Sequence, residues 1–271
     1  MAYALDLLFQ ALEMGLLAAS LWLLIQHLGL VSLGHAAFYG LAGYVLALSA
    51  PHTGSALASA LLGVLAASGF AALTGWFVLR SRGLAFLMAT LAFAQMLLVL
   101  GQDTPYFGGS DGLYVDGLSP LNIEEKALSM TAVAAAGAAL IWRIGRSPFG
   151  FLMAAAHQHE DRLTSLGYSV FQIQLTAYVL SASLAGAAGA MHALRFGFVS
   201  PSLFSWQVSG MALLMVLLGG QTYFFSPWLG ALAVVLLHEL LASHALWGDW
   251  ARHWAAGLGL IMIILARRKT R

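Results

Sequence analysis

Long apolar stretches follow one another along almost the whole chain of 271 residues, with short polar segments between them. Apolar and polar positions do not alternate within these stretches, as they would in the strands of a β-barrel, and their Leu and Ala content favours helices. A helix that crosses a bilayer needs about 20 apolar residues. The pattern predicts candidate spans at residues 5–28, 32–50, 56–79, 84–101, 127–142, 171–194, 206–222, 225–243 and 253–266.

The two spans within residues 206–243 are separated by a very short turn. Such a pair can cross the membrane twice or form a re-entrant hairpin, and in the second case the number of crossings falls by two while the chain ends stay on opposite sides. The sequence therefore predicts an all-α, polytopic helical membrane protein. We expect about eight to nine transmembrane helices, including broken or re-entrant segments, in a single domain over residues 1–271.

The composition supports a membrane protein. Hydrophobic residues make up 61% of the chain and charged residues only 8%, whereas a soluble domain is about a quarter charged. A chain with so few charges cannot cover a water-exposed surface, and it gives no basis for a nucleic-acid partner. It also has no cysteine, so neither a disulfide framework nor a thiolate metal site can form.

The two long polar loops differ in the sign of their charges. Residues 102–126 carry five carboxylates and one lysine, whereas residues 143–169 carry arginines at positions 143, 146 and 162. Basic residues in short loops stay on the cytoplasmic side of a membrane. The pattern predicts that residues 143–169 are cytoplasmic and residues 102–126 external, with the N-terminus outside and the C-terminus in the cytoplasm.

The cytoplasmic loop contains helix signals of its own. Ser147 and Pro148 are typical of a helix N-cap and the position after it, and Gly167 is typical of a helix C-terminus. A short helix between them, with an apolar face, could dock on a partner protein. The alternative is an amphipathic connector that lies in the headgroup layer.

Motifs for nucleotide and metal chemistry are incomplete. A P-loop needs lysine followed by Ser or Thr after a glycine-rich run, and neither Lys126 nor Lys269 lies in that context. HELLASH, at 238–244, resembles the zinc-binding HExxH motif but has Ala242 in place of the second histidine. We therefore expect no catalytic residue, no metal site and no cofactor bound by this chain.

Two carboxylates, Glu13 and Glu239, fall inside predicted spans, where ionisable residues are functional candidates by default. Each could relay protons or contact a substrate amine. Each could equally be hydrogen-bonded within the bundle for structural reasons, and Gln10 lies one turn from Glu13 as a possible partner. Both interpretations stay open.

The segment VSLGHAAFYG, at 31–40, places small and polar residues next to one another inside an apolar stretch. Consecutive residues of this kind indicate an interrupted helix whose backbone groups face protein or water, and transporters place such interruptions at substrate sites. The small residues of 181–190 are instead spaced along one helix face, which indicates helix packing. His35 could touch a substrate or tie the interrupted helix to its neighbour.

Four stretches, in this order, resemble a known protein family. They are LVSLGHAAFYGLAGY (30–44), RGLAFLMATLAFAQMLL (82–98), FGGSDGL (107–113) and residues 147–204, which begin SPFGFLMAAAHQHEDRLTSLG. The family is that of the permease subunits of branched-chain amino acid ABC importers, of the Liv type, and the resemblance is to the M-like subunit. It covers about residues 30–240.

The resemblance implies an ABC importer permease fold in a bacterial inner membrane, so the external loop and the N-terminus would be periplasmic. It implies a second, homologous permease, two cytoplasmic subunits that bind ATP and Mg²⁺, and a periplasmic substrate-binding protein as partners, besides membrane lipid. The expected function is to form half of the translocation path for branched-chain or related hydrophobic amino acids. The residues expected to line the path are Ser32, Gly34, His35, Phe38 and Gln95, and those expected to couple to the ATPase are Glu160, Leu166 and Gly167.

This sequence departs from the family pattern at some positions. Gln95 and Leu98 stand where the family often has an acidic residue and an arginine, and the bulky segment QTYFFSPWLGA (221–231) replaces a glycine-rich one. These departures leave urea, short amides and aromatic acids as alternative substrates. Alternatives of another class are an ion-coupled secondary transporter and an intramembrane enzyme.

Overall fold

The computed structural model describes residues 2–118, 122–220, 223–242 and 259, and helices dominate them. The helices are α1 (Ala2–Leu28), α2 (His35–Thr53), α3 (Ala56–Val78), α4 (Leu84–Asp103), α5 (Ile123–Gly145), α6 (Pro148–Gln158), α7 (Glu160–Ser165), α8 (Val170–Phe196), α9 (Trp206–Gly219) and α10 (Ser226–Ala242). Short 3₁₀ helices at Pro105–Phe107, Gly109–Asp111 and Pro201–Phe204 and two strands, β1 (Leu113–Tyr114) and β2 (Phe198–Val199), lie between them. The predicted all-α fold is confirmed.

α1 and α8 run antiparallel to each other through the bundle. The hydroxyl of Ser181 in α8 donates to the carbonyl of Ser20 in α1, while Arg195 near the end of α8 binds Asp6 near the start of α1. Each helix has 27 residues and therefore rises about 40 Å. This length exceeds the roughly 30 Å of the hydrocarbon core of a bilayer.

The two polar loops lie at opposite ends of these central helices. At one end, which we call the basic end, the His157 ring of the 143–169 loop packs against Gly29, directly after α1. At the other, which we call the acidic end, β1 of the 102–126 loop pairs antiparallel with β2, directly after α8. The loops that were predicted to face opposite sides of the membrane therefore lie at opposite ends of the bundle.

α2 begins inside the bundle rather than at either end. Residues 29–34 are not helical, and α2 starts at His35, whose ring contacts Ser181 near the middle of α8. The predicted interruption of the helix is confirmed. The helix begins at His35, three residues after the start of the predicted span, 32–50. The hydroxyls of Thr90 and Ser209 accept hydrogen bonds from the N–H groups of Leu33 and Ala36, which a longer helix would bond to its own carbonyls.

A second interruption, at residues 197–205, separates α8 from α9. Both interruptions begin with a glycine at φ +65°, Gly29 and Gly197, a conformation that favours glycine. The N–H of Ala36 donates to the Ser209 hydroxyl, so the first turns of α2 and α9 meet inside the bundle. The order helix, interruption, helix thus occurs twice in opposite directions, which is the arrangement of inverted repeats in transporters.

α9 and α10 form a close antiparallel hairpin. A Cβ at Gly219 would lie 1.8 Å from the carbonyl oxygen of Ser226, and one at Gly230 would lie 1.9 Å from that of Met215. α9 has 14 residues and rises about 21 Å, whereas α10 reaches the edge of the described residues at position 242. The twice-crossing and the re-entrant alternatives of the sequence analysis therefore both stay open.

Five of the described helices, α1, α3, α4, α5 and α8, are long and apolar enough to cross a membrane. α2 has 19 residues but is less apolar, and protein surrounds most of it. The predicted count of eight to nine transmembrane helices is therefore not confirmed. The predicted span 253–266 lies outside the described residues, apart from residue 259.

Two boundaries differ from the prediction for local reasons. α5 begins four residues before the predicted span, 127–142, because Asn122 and Glu125 form a capping box that starts the helix in polar sequence. The helix predicted between Ser147 and Gly167 is divided into α6 and α7 at His159, whose φ of −144° is not helical.

Candidate functional site

His35 lies in the first turn of α2 and is fully buried. Its Nε2 is 2.8 Å from Oγ of Ser181. Because the Ser181 hydroxyl donates its hydrogen to the carbonyl of Ser20, Nε2 must carry the proton and donate. Nδ1 is then an acceptor, and it is buried without a hydrogen-bond partner among the described residues. His35 thus ties the interrupted helix to α1 and α8.

Hydroxyl groups of neighbouring helices replace the helix hydrogen bonds that the interruption removes. Oγ1 of Thr90 in α4 accepts from the N–H of Leu33 at 3.1 Å, and Oγ of Ser209 in α9 accepts from the N–H of Ala36 at 2.8 Å. Buried N–H groups without such acceptors are costly, and most costly at membrane depth. The interruption is therefore held open by side chains from two other helices.

The residues predicted to line a substrate path lie on two helices and the segment between α1 and α2. Ser32, Gly34, His35 and Phe38 are buried within the chain, and Oγ of Ser32 accepts from the N–H of Gly34 at 3.1 Å. Gln95 is partly exposed on α4, and its Nε2 is buried without a partner among the described residues. Their contact with a substrate stays a prediction, and it requires α2 to move relative to its neighbours.

A network of charged side chains lies between the start of α1 and the end of α8. Glu13 is fully buried; its Oε2 accepts from Nη1 of Arg195 at 3.2 Å, its Oε1 lies 2.8 Å from Nδ1 of His192, and the Tyr39 hydroxyl donates to it. Arg195 also donates from Nε and Nη2 to both carboxylate oxygens of Asp6, at 2.9 and 3.0 Å. Three helices, α1, α2 and α8, are joined by these contacts.

This network supports the structural interpretation of Glu13 over a substrate contact. The sequence suggested Gln10 as the partner, but the carboxylate is bound by Tyr39, His192 and Arg195. Sequence analysis missed Arg195 and His192, although an arginine at the end of a long apolar segment was a usable signal. Glu239 accepts a hydrogen bond from the Tyr3 hydroxyl at the same end of the bundle.

The residues predicted to couple to an ATPase lie together at the basic end. Glu160 begins α7 and forms an ion pair with Arg82, between α3 and α4, at 2.6 Å. Leu166 is 69% exposed. Gly167 has φ +87° and follows the last turn of α7, which confirms the predicted helix C-terminus.

Only part of the apolar face predicted for this loop is exposed. Leu163 packs in the core, while Leu152 and Ala155 are partly buried against it. Phe151, in contrast, is 70% exposed. The exposed apolar surface at this end therefore includes Phe151 and Leu166, on the two sides of the turn at His159.

Metal ligands do not cluster within the described ranges. Among residues 2–118, 122–220 and 223–242, no group of three or more His, Asp or Glu side chains is placed to hold a metal ion. His238 and Glu239 lie on α10, whereas residues 243 and 244 of HELLASH lie outside the described residues.

Comparison of this chain with known protein families agrees with the transporter-like arrangement of its interrupted helices. The family model described as the permease component of branched-chain amino acid transport systems matches residues 3–266. The chain belongs to this permease family. The resemblance given by the sequence motifs is therefore confirmed, and the homologous permeases are transport subunits of ABC transporters.

Two curated relatives of this permease carry the same name, high-affinity branched-chain amino acid transport system permease protein LivM, from Escherichia coli K12 and Salmonella typhimurium LT2. Each is 30% identical to this chain in an alignment that covers 87% of it. The permease spans only 62% of the length of these relatives. No solved structure matches it.

Proposed function

We propose that this permease is the transmembrane subunit of an ATP-driven importer and forms half of the translocation path for branched-chain or related hydrophobic amino acids. The family match over residues 3–266 is the observation that carries the proposal. The partners are a second, homologous permease, two cytoplasmic subunits that bind ATP and Mg²⁺, and a periplasmic binding protein that delivers the substrate. The chain itself binds neither nucleotide nor metal.

The proposed site of action is a bacterial inner membrane. The basic end faces the cytoplasm, in keeping with the positive-inside rule. α1 begins at the acidic end, so the N-terminus of this permease is periplasmic in this proposal. The basic residues at 267–271 place the C-terminus in the cytoplasm by the same rule. The 102–126 loop then lies on the side from which a periplasmic binding protein would approach.

The interrupted helices α2 and α9 support a mobile path between these two sides. α4 and α9 hold the start of α2 through one hydrogen bond each, from Thr90 and Ser209, whereas His35 and Tyr39 bind α2 to α8 and α1. In this proposal α2 therefore separates from α4 and α9 while it stays packed on α1 and α8. Movement of α2 away from α4 and α9 would expose Ser32, Gly34, His35 and Phe38 to the path. ATP can drive this movement only if its binding stabilises one arrangement more than the other.

The coupling element in this proposal is formed by α6 and α7. Phe151 and Leu166 offer exposed apolar side chains at the basic end, and Gly167 leaves open space beside the turn that follows α7. A cytoplasmic ATPase subunit with an apolar groove would bind this surface. The ion pair between Glu160 and Arg82 connects the same surface to the start of α4, which carries Thr90.

Charge reversal at Glu160 tests the coupling. We expect Glu160→Arg to reduce ATP-driven uptake of L-leucine by the assembled importer about 5- to 150-fold, the range of a coupling free energy of about 1–3 kcal/mol. Asp161→Arg is the matched control, because it makes the same charge change at the next, exposed position. Uptake is measured in proteoliposomes, with size-exclusion chromatography to show that each variant is folded.

Two outcomes would contradict the coupling role. Equal uptake by the Glu160 and Asp161 variants would show that the position has no special role. Full recovery in the exchanged pair Arg82→Glu/Glu160→Arg would show that Glu160 acts only through Arg82 within the chain, and not through the ATPase.

A further inference from the structure

A cavity of about 210 Å³ lies between α1, α9 and α10, and none of the residues predicted to line the path belongs to its walls. Three polar side chains line it: Gln10 of α1, Gln207 of α9 and His238 of α10. The rest of the lining comes from methionines and valines of the same three helices. A small cavity with a few convergent polar groups and apolar walls is the usual form of a small-molecule site.

The polar and apolar parts of this cavity are separated along the bundle axis on α9 and α10. The contacts of Gly219 with Ser226 and of Gly230 with Met215 set the antiparallel register of the hairpin. In this register Gln207 comes opposite His238, toward the acidic end. Continuing along the helices, Met211 and Met215 of α9 lie deeper in the bundle.

The apolar part is closed by buried side chains. Met215 is 1% exposed, and Val234 and Val235 of α10 are 1% and 4% exposed. Met14 of α1 and Met211 of α9 complete this part. Methionine side chains are flexible and polarisable, so they adapt to branched apolar groups of different shape.

The chemistry of the polar part matches a zwitterion. A carboxamide offers both N–H donors and a carbonyl acceptor, and a neutral imidazole offers one of each. Donors suit a carboxylate and acceptors suit an ammonium group, and the two carboxamides carry no charge, as a net-neutral ligand requires. Urea and short amides could use the same polar groups but would leave the methionines and valines without a contact.

We propose that this cavity binds a hydrophobic α-amino acid, with its ammonium and carboxylate groups at Gln10, Gln207 and His238 and its side chain among the methionines and valines. The volume of about 210 Å³ lies below the roughly 300–1,000 Å³ of sites for drug-sized ligands, so it suits a short side chain. This inference rests on the proposed function for its substrate class and gives that function a specific binding site.

Protection of a single cysteine tests this proposal directly. Because the chain has no cysteine, Met211→Cys introduces a unique thiol in the cavity wall. At a concentration of L-leucine ten times its Kd, the fraction of empty sites and the labelling rate should fall about elevenfold. Leu217→Cys is the matched control, on the outer face of the same helix, where Leu217 is 45% exposed, and leucine should not change its labelling rate.

The labelling is followed in the assembled importer, with urea as the comparison ligand. The proposal is overturned if L-leucine fails to protect the cysteine at position 211 while the unchanged importer takes up leucine, or if urea protects it equally. An importer that takes up no hydrophobic amino acid at all would instead overturn the proposed function. Uptake by the unchanged importer therefore separates the two failures.

A change of cavity size gives a second, independent measurement. Met211→Ala enlarges the cavity, and we expect the ratio of kcat/KM for phenylalanine to that for leucine to rise about tenfold or more, since a methylene in an apolar pocket changes this ratio about 10- to 200-fold. Leu217→Ala should leave the ratio unchanged. An unchanged ratio in the Met211 variant would count against the cavity as the site that selects the substrate.

Discussion

At the scale of single residues, the buried carboxylate of Glu13 is bound by side chains of two other helices, Tyr39 of α2 and His192 and Arg195 of α8. Glu13 was identified because a carboxylate in an apolar span is rare, but its partners come from residues 26 and about 180 positions away. Contacts over such separations depend on how the helices pack, which a periodic pattern does not contain. Glu13 has three partners, Tyr39, His192 and Arg195, and Arg195 also binds Asp6. These contacts explain why the charges are stable inside the bundle.

Removal of Arg195 tests this explanation. We expect Arg195→Met to destabilise the protein by about 3–5 kcal/mol, because it leaves the fully buried Glu13 without its cationic partner. The double variant Glu13→Gln/Arg195→Met should be more stable than the single one, since the uncompensated charge is gone. Thermal unfolding in detergent measures both.

Arg143→Met is the control for the loss of an arginine, because Arg143 is exposed on α5. It should leave the unfolding temperature nearly unchanged. If Arg195→Met were as stable as this control, the ion pair with Glu13 would have no structural role and the proton-relay alternative for Glu13 would regain support.

At the scale of elements, the presence of the helices could be predicted from the sequence. Their ends could be predicted only where the residues that cap the helix are adjacent to it in the sequence. Gly167 and Ser147 were recognised because helix caps depend on adjacent residues. The start of α2 at His35 depends on Thr90 and Ser209, which belong to other helices. The β1–β2 pair is only two residues long on each side, so no strand pattern could have revealed it.

The packing of α2 against α8 explains the small residues of 181–190. A Cβ at Gly189 would lie 1.9 Å from the carbonyl oxygen of Tyr39 in α2, and one at Gly186 would lie 2.9 Å from Cβ of Ala67 in α3. The interpretation of this segment as packing is therefore confirmed. Close approach of three helices depends on the absence of side chains at these positions.

Alanine at Gly189 should consequently disturb the bundle. We expect Gly189→Ala to lower the free energy of unfolding by about 1–3 kcal/mol, the usual range for overpacking. The new methyl group would meet the backbone carbonyl of Tyr39, which cannot rotate away as a side chain could. Gly69→Ala, on α3, is the matched control, since nothing lies within 4 Å of its Cβ position. The control should keep or slightly raise the unfolding temperature, and an equal result for both variants would contradict the close packing of α2 on α8.

At the scale of the whole molecule, the two interrupted helices form the feature that most resembles a transporter. The first interruption was visible in the sequence, because Ser32, Gly34 and His35 are adjacent in an apolar stretch. The second was not recognised, because residues 197–205 read as an ordinary loop between two spans. Only the meeting of Ala36 with Ser209 shows that both interruptions reach the same region of the bundle.

The inverted order of these parts gives the proposed transport a structural basis. Two similar units that run in opposite directions can exchange roles between an inward-open and an outward-open arrangement. In the proposed transport, the two arrangements open in turn toward the acidic end and toward the basic end of the bundle. In the proposed function, ATP binding and hydrolysis by the partner subunits supply the energy for this exchange.

The most direct test of the account is uptake of L-leucine into proteoliposomes that contain this permease together with its partner permease and ATPases, with the binding protein added outside. We predict uptake that requires ATP inside the vesicle and that is lost when the ATPases are left out. Uptake by the permease alone, driven by an ion gradient without any ATPase, would contradict it.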